Sequence, residues 1–360
     1  MDTALSETQE LIRASIRDYL RREITFDRIR ELESNGGYDE ALWLHLGRSG
    51  FLALPFASPI GGGAGLVELG ILVEELTRRA SVAPLIETLT CAMCVERFGD
   101  PGLAGEIIPQ VVSGGMRISP ALLERDDRYD HAMLPFDGGA ISGTKCFVDY
   151  APSATHYLVS ALDGGELVLA LAEANPDNAT LRMLDNISRL PQANVTFSRT
   201  PVRRVAGAEA LHWLVGVNRV LSAVQRLGAA QQALEMTVDY VKAREQFGQP
   251  IGAFQAVQHH CANMATMVEA CRFLTYECLW QMDEGAMDDR LVATAKNWAA
   301  RTVTEVTMLA HELHGGIGVT EEYDLHFFTR RGKDRAVAWG SADETLRYLA
   351  DTVGQQNSWH

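Results

Sequence analysis

With 360 residues, 47% of them hydrophobic and 22% charged, the chain has material for two or three buried cores and lacks the composition of a disordered protein. A formal net charge of −15 supplies no clustered positive field for a phosphate backbone and argues against a general nucleic-acid binder. Six cysteines are too sparse for a disulfide scaffold.

The first third reads as helical. Leu5, Leu11, Ile12, Ile16 and Leu20 recur at helical spacing within residues 5–24, and residues 40–55 and 66–100 behave similarly. The start, Met1-Asp-Thr-Ala-Leu-Ser-Glu7, is polar and acidic, unlike a secretory leader. No apolar run approaches the ~18 residues of a membrane span, so a cytoplasmic location without a membrane partner is expected. Gly61-Gly-Gly-Ala-Gly65 interrupts the helices without the Gly-Lys-Ser/Thr of a phosphate loop and reads as a connector before a helix over Leu66–Arg79. Cys91-Ala-Met-Cys94 has the spacing of a redox or metal pair, but it sits in an apolar run with no second pair and reads as two buried helix residues.

From about residue 115 short β-rich runs replace the helical period: Met133–Phe136, Ala140–Ile141, Cys146–Val148, Thr155–Ser160, Leu167–Leu171 and Ala193–Phe197. Asp137-Gly-Gly139, Asp163-Gly-Gly165 and Asn175-Pro-Asp-Asn178 punctuate them as turns, and a small antiparallel barrel or sandwich is implied. After Gly207 amphipathic patterns run over 209–244, 254–284 and 288–314, with a last helix at 342–354, together the material of a four-helix bundle. The expected fold class is α+β, in three domains at 1–114, 115–206 and 207–360.

Two segments of the last domain carry chemistry. In Arg244-Glu-Gln-Phe-Gly-Gln-Pro-Ile-Gly-Ala-Phe-Gln255 a helix ends on an Arg able to grip phosphate and an aromatic able to pack on a purine, and Pro250 stops the helix from continuing. In Glu312-Leu-His-Gly-Gly-Ile-Gly318 the glycines let backbone amides approach a ligand closely. His259-His260 lacks companion ligands at metal-binding spacing and reads as surface or packing histidines. Arg330-Arg331 reads as a surface or interface pair.

These two segments, the strand string Gly143-Thr-Lys-Cys-Phe-Val-Asp149 and the helix–β–helix order resemble the acyl-CoA dehydrogenase family over nearly the whole chain. The resemblance implies FAD as cofactor, an acyl-CoA thioester as substrate and an acceptor of the electron-transfer flavoprotein type. It implies flavin contacts from Arg244, Gln246, Phe247, Phe254, Gln255, Glu312, Gly315 and Gly316, and substrate binding by Arg219. The family usually has Gln at the position of Glu312, and a carboxylate there would repel a diphosphate.

The family reaction needs a glutamate to take the α-proton, held in a site dry enough to strengthen it. One group of members places it at a fixed interval after the paired glycines, which falls here on Trp339 within Ala338-Trp-Gly-Ser341. A second group places it just before an upstream arginine matching Arg219, which falls on Asn218, while Gly216 replaces an Asp that often precedes that arginine. Neither indole nor amide is a base. The Gly-rich turn lacks its Pro-Glu pair, with Ala57-Ser-Pro59 near its place. The flavin-ring elements of the middle domain are altered too: Ser119-Pro-Ala-Leu-Leu-Glu-Arg-Asp-Asp-Arg-Tyr-Asp130 stands for Thr-Glu-Pro and Gly-Ser-Asp, and Phe147-Val-Asp149 for a Trp-Ile-Thr/Ser segment.

The expectation is a subunit that completes a shared FAD site in a hetero-oligomer, with a second acyl-CoA dehydrogenase-like chain supplying the glutamate. The resemblance associates such assemblies with bulky steroid or branched acyl groups. Two alternatives stand beside it: a self-sufficient homo-oligomer with a relocated base at Asp343 or Glu344, and a non-catalytic scaffold. Those two carboxylates read first as acidic residues opening the last helix.

Overall fold

The computed structural model describes residues 4–57, 59–125, 128–129 and 131–356, with backbone alone at 353–356. Two compact units emerge. One gathers the N-terminal residues to Phe26, Gly70–Ser81 and everything from Arg219 onward; the other holds Asp27–Leu69 and Val82–Asn218.

In chain order the N-terminal helices are α1 (Glu7–Glu23), α2 (Phe26–Asn35), α3 (Glu40–Arg48), α4 (Leu66–Arg78), α5 (Leu85–Phe98) and α6 (Pro101–Val112). Ser6 opens α1 with a capping box, exchanging bonds with Gln9, and Asp100 caps α6 ahead of a proline at its first position. Ile16 and Leu20 are buried as the stripe requires, but Leu11 is 69% exposed, so the expected stripe is narrower than five residues. Cys91 and Cys94 lie buried on α5, and burial pushes the Cys94 thiol up to about 12.

The strands are β1 (Ile118–Ala121), β2 (Phe136–Asp137), β3 (Ala140–Asp149), β4 (His156–Asp163), β5 (Glu166–Glu173), β6 (Ala179–Met183) and β7 (Gln192–Gly207). Their order is β1-β4-β5-β7-β3-β2, with β6 also on β7. The 16-residue β7 runs through two layers: Ala193–Phe197 pairs with β3 and β6, and Val202–Gly207 pairs with β5. Tyr157, Val159, Val168, Val195 and Phe197 fill the core. The expected turns at Asp137-Gly-Gly139 and Asp163-Gly-Gly165 are two-residue hairpins whose glycines all have positive φ, the primed geometry that matches strand twist.

The C-terminal helices are α7 (Ala208–Ala243), α8 (Gln255–Asp283), α9 (Asp289–His314), α10 (Leu325–Val337) and α11 (Ala342–Gln356), with a short hairpin of β8 (Glu245–Gln246) and β9 (Gln249–Pro250). The expected four helices are present, and α10 is a fifth, packed on α9. It escapes the periodicity because its buried face carries Arg331, Gly332 and Arg335 among the apolar residues. A Cβ on Gly332 would meet Val303, so glycine here permits close helix approach. Arg331 is a correction: it is buried and donates to the Ala80 carbonyl, a structural role and not a surface one. No helix among the described residues is long and apolar enough to cross a membrane.

Candidate active site

Arg244 closes α7 with its amide on the Tyr240 carbonyl at 2.8 Å, and its own carbonyl accepts from Ile251 at 2.8 Å. Between these points Gln246 and Gln249 pair across a third two-residue hairpin, whose turn is Phe247 (φ 53°) and Gly248 (φ 82°). The other hairpins use Gly-Gly. Here a phenylalanine takes the left-handed conformation at a cost of about 1–2 kcal/mol and stands 92% exposed, touching Phe254 edge to face at 6.1 Å. The Arg244 side chain is exposed and makes no hydrogen bond or ion pair among the described residues. Gln246 bonds its own hairpin, and Gln255 is exposed at the first position of α8.

The second segment lies at the end of α9. Glu312 is exposed, its carbonyl accepting from the Gly315 amide. Gly315 (φ 63°) and Gly316 are exposed, and a Cβ on either would meet nothing within 4 Å. His311 holds this loop from behind. Its Nδ1 donates to the Gly318 carbonyl at 2.9 Å, which leaves Nε2 to accept from Thr329 at 2.7 Å. His314 does the same with the Ala310 carbonyl (2.7 Å) and the Tyr323 hydroxyl (2.9 Å). Burial lowers the pKa of both histidines, favouring this neutral form.

His314 also stacks on Tyr240 at 4.4 Å, one turn before Arg244. Tyr240, His314 and Tyr323 therefore hold the ends of α7 and α9 together, and with them the two segments that sequence reading had found separately. Their roles went unread because they depend on contact between distant parts of the chain. The local sequence offers only three aromatic rings at unrelated spacing.

The two positions counted for a base have other surroundings. Asn218 is fully buried, and its Nδ2 donates to Thr90 Oγ1 at 3.1 Å and the Leu214 carbonyl at 2.8 Å. Trp339 is buried, with φ 63°, just beyond α10. Basic side chains gather on the carbonyls of this helix end, where the helix dipole favours donors and positive charge. Arg219 Nε reaches the Trp339 carbonyl at 3.0 Å, and Lys296 Nζ the Ala338 carbonyl at 2.5 Å. Arg226 donates to the carbonyls of Arg335 (2.9 Å) and Lys296 (3.0 Å) and to Ser222 (2.8 Å). Burial pushes Arg226 down to about 9 and Lys296 well below its ordinary range.

Of the carboxylates nearby, Asp343 and Glu344 are exposed in the first turn of α11. Ser341 Oγ caps that helix by accepting the Glu344 amide at 3.1 Å, and the Glu344 carboxylate pairs with Arg219 at 3.4 Å.

In the β-containing unit, Ser58, Asp126, Asp127 and Asp130 lie outside the described residues. Glu124, read in sequence only as part of a string, is a structural pivot. It pairs with the fully buried Lys145 of β3 at 2.7 Å and accepts from the amides of Met133 (2.8 Å) and Leu134 (3.2 Å), joining those two residues to β3 through one carboxylate. Phe147 sits at a bulge of β3 with φ 53° and an exposed ring, while Asp149 accepts from Gln192 at 2.8 Å. Two exposed phenylalanines in left-handed backbone, both on segments singled out by sequence, mark places where strain is retained.

The comparisons with known proteins agree with this layout. Patterns described as acyl-CoA dehydrogenase N-terminal and C-terminal domains match residues 6–115 and 206–353. Acyl-CoA dehydrogenase FadE27 of Mycobacterium tuberculosis is 28% identical over 334 residues, covering 88% of this chain and 89% of that protein. The ChsE4–ChsE5 complex from M. tuberculosis matches with TM-score 0.91 and 27% identity over 99% of each chain. A Tcur3481–Tcur3483 steroid ACAD variant matches with TM-score 0.91 and 32% identity over 97% of this chain and 98% of that one. Shared sequence at that level along nearly the full length, on the same fold, means that the chain belongs to the acyl-CoA dehydrogenase family.

Proposed function

We propose that this chain is the subunit of a heteromeric acyl-CoA dehydrogenase that completes a shared FAD site, while a partner chain of the same family supplies the glutamate. The observation that carries the reading is the contrast between the exposed Arg244 and Phe247 side chains and the buried, hydrogen-bonded Asn218 and Trp339. Members of the family bind FAD; one structure of this fold, PigA, holds FAD and proline.

The residues present fit that cofactor. Arg244 offers a guanidinium with no partner among the described residues for a phosphate, Phe247 an exposed ring for the edge of an aromatic system, and Gly315 and Gly316 open space for close backbone approach. Glu312 fits only with its carboxylate turned from the diphosphate. All these groups lie on exposed surface, as suits a cofactor enclosed by a second chain. A flavin held there would supply the acceptor for the hydride that leaves the β-carbon of the acyl group. This chain's own part is to hold the cofactor through Arg244 and Phe247, to keep the glycine loop in place with neutral His311 and His314, and to anchor Trp339 through Arg219. The α-proton then goes to the partner's carboxylate. The resemblance to the steroid ACAD and the ChsE4–ChsE5 complex supports a bulky acyl-CoA, with a steroid acyl group as the first to test.

Expression alone and with a family chain carrying the glutamate tests this reading. Flavin absorbance and acyl-CoA oxidation are expected only on co-expression, and Arg244→Ala is expected to lower flavin content about tenfold or more in the complex. A yellow, active protein purified alone, inactivated by Asp343→Ala or Glu344→Ala, would overturn it in favour of a relocated base. Unchanged flavin content and turnover in the Arg244→Ala complex would point to a scaffold.

A further inference from the structure

The helical unit contains a cavity of about 210 Å³ apart from the segments described above, lined by Arg17, Arg21, Glu75, Arg78, Arg79 and Glu235, with Gln232 and Asp239 among its remaining residues. Its walls come from α1, α4 and α7. In one wall the charges cancel. Arg17 grips Glu75 with Nε at 2.8 Å and Nη2 at 2.5 Å, and Arg78 Nη1 meets the same carboxylate at 3.2 Å. Arg78 Nη2 takes both oxygens of Glu235, at 2.8 and 2.7 Å, and Gln231 adds a third bond to that carboxylate.

Those bonds engage the two carboxylates and leave two guanidiniums over. Arg21 and Arg79 make no ion pair or side-chain hydrogen bond among the described residues, and the only remaining acid of the lining, Asp239, pairs with neither. The Nε of Arg78 is a further buried donor with no partner. Arg79 is half-buried, and its pKa is lowered first by burial and then by Arg21 and Arg78, against the smaller opposing pull of Glu235 and Glu75. Two arginines left over in one recess are out of keeping with a chain of net charge −15, in which carboxylates are plentiful.

We propose that this cavity is a binding site for a phosphoryl dianion, gripped by Arg79 and Arg21. A guanidinium presents parallel donors that match phosphate oxygens two at a time, and two of them together offset a dianion. At about 30 Å³ per water, the space suits a phosphate or small phosphomonoester and not a whole nucleotide. Its residues are separate from the proposed flavin-holding ones, so the site stands or falls independently of the dehydrogenase reading.

The test is a titration of the full chain, with its partner if one is required, using inorganic phosphate and glycerol 3-phosphate against chloride at matched ionic strength. Thermal melting and ³¹P line broadening are the readouts. Saturable stabilisation by either phosphoryl probe is expected, the tighter of the two telling whether the occupant is the free ion or the end of a small ester. Arg79→Gln and Arg21→Gln are each expected to weaken it by about tenfold or more, Arg79→Lys by less, and Arg48→Gln, at a position that is not among the lining residues, not at all. Equal effects of phosphate and chloride, or unchanged phosphate binding in the Arg21→Gln/Arg79→Gln double variant, would overturn the proposal. Since neither side chain makes a hydrogen bond or ion pair among the described residues, both variants are expected to fold, which their melting curves without phosphate would report.

Discussion

Arg226 lies within α7 and Arg244 just past its end, yet the side chain of one is wholly engaged by the fold and that of the other makes no bond among the described residues. Arg226 is fully buried and ties the end of α10 to α9 through backbone carbonyls; Arg244, just past the end of α7, makes no side-chain bond among the described residues. The difference shows how identical side chains take opposite roles according to what surrounds them. A guanidinium buried against helix-terminal carbonyls is structure, whereas one left free on a strained hairpin, beside an exposed aromatic, is available for a ligand.

The strongest way to sharpen this contrast is truncation of each arginine. Arg226→Ala leaves a cavity and removes the guanidinium donors from the carbonyls of Arg335 and Lys296, and is expected to cost about 3 kcal/mol in denaturant unfolding. Arg244→Ala is expected to stay within about 0.5 kcal/mol of the parent. Comparable losses in both would break the comparison.

A smaller effect is expected at the hairpin tip. Phe247→Gly converts the turn to the Gly-Gly form of the other two hairpins. Relief of left-handed strain should offset the loss of a weak ring contact, raising stability by about 0.5 kcal/mol while flavin content of the complex falls. Reduced stability with flavin content unchanged would show the phenylalanine to be a packing residue.

The mildest perturbation is pH. His311 and His314 have pKa values lowered in the fold from 6.5, so the folded state favours neutral imidazole. Their contribution is therefore complete above about pH 6.5 and is lost as pH falls through the lowered values. Protection of the amides of Gly315–Val319 against hydrogen exchange, taken relative to the intrinsic rate at each pH, should fall below that point, and a His311→Gln variant should flatten the response.

Much of the fold was legible because long stripes and paired glycines act locally. Helices over 209–244, 254–284 and 288–314 emerge within a residue or two, and both Gly-Gly hairpins lie where the turns were expected. The unread elements lack such patterns. The strand β1 contains Pro120, β6 is exposed along Thr180–Met183, and α10 hides buried arginines within its apolar face. At the site, Arg244 to Gln255 was readable as contiguous motif. The Tyr240–His314–Tyr323 contact and the Lys296–Ala338 bond were not, because they join residues far apart in sequence that nothing in local composition connects.

The long strand β7 has one further consequence. Because it hydrogen-bonds to β3 and β6 along its first part and to β5 along its last, neither layer can separate without breaking a strand belonging to the other. The two layers should thus open as a single cooperative unit. Their formation must await pairings between residues well separated along the chain, so this sheet is expected to form slowly and, once complete, to resist hydrogen exchange.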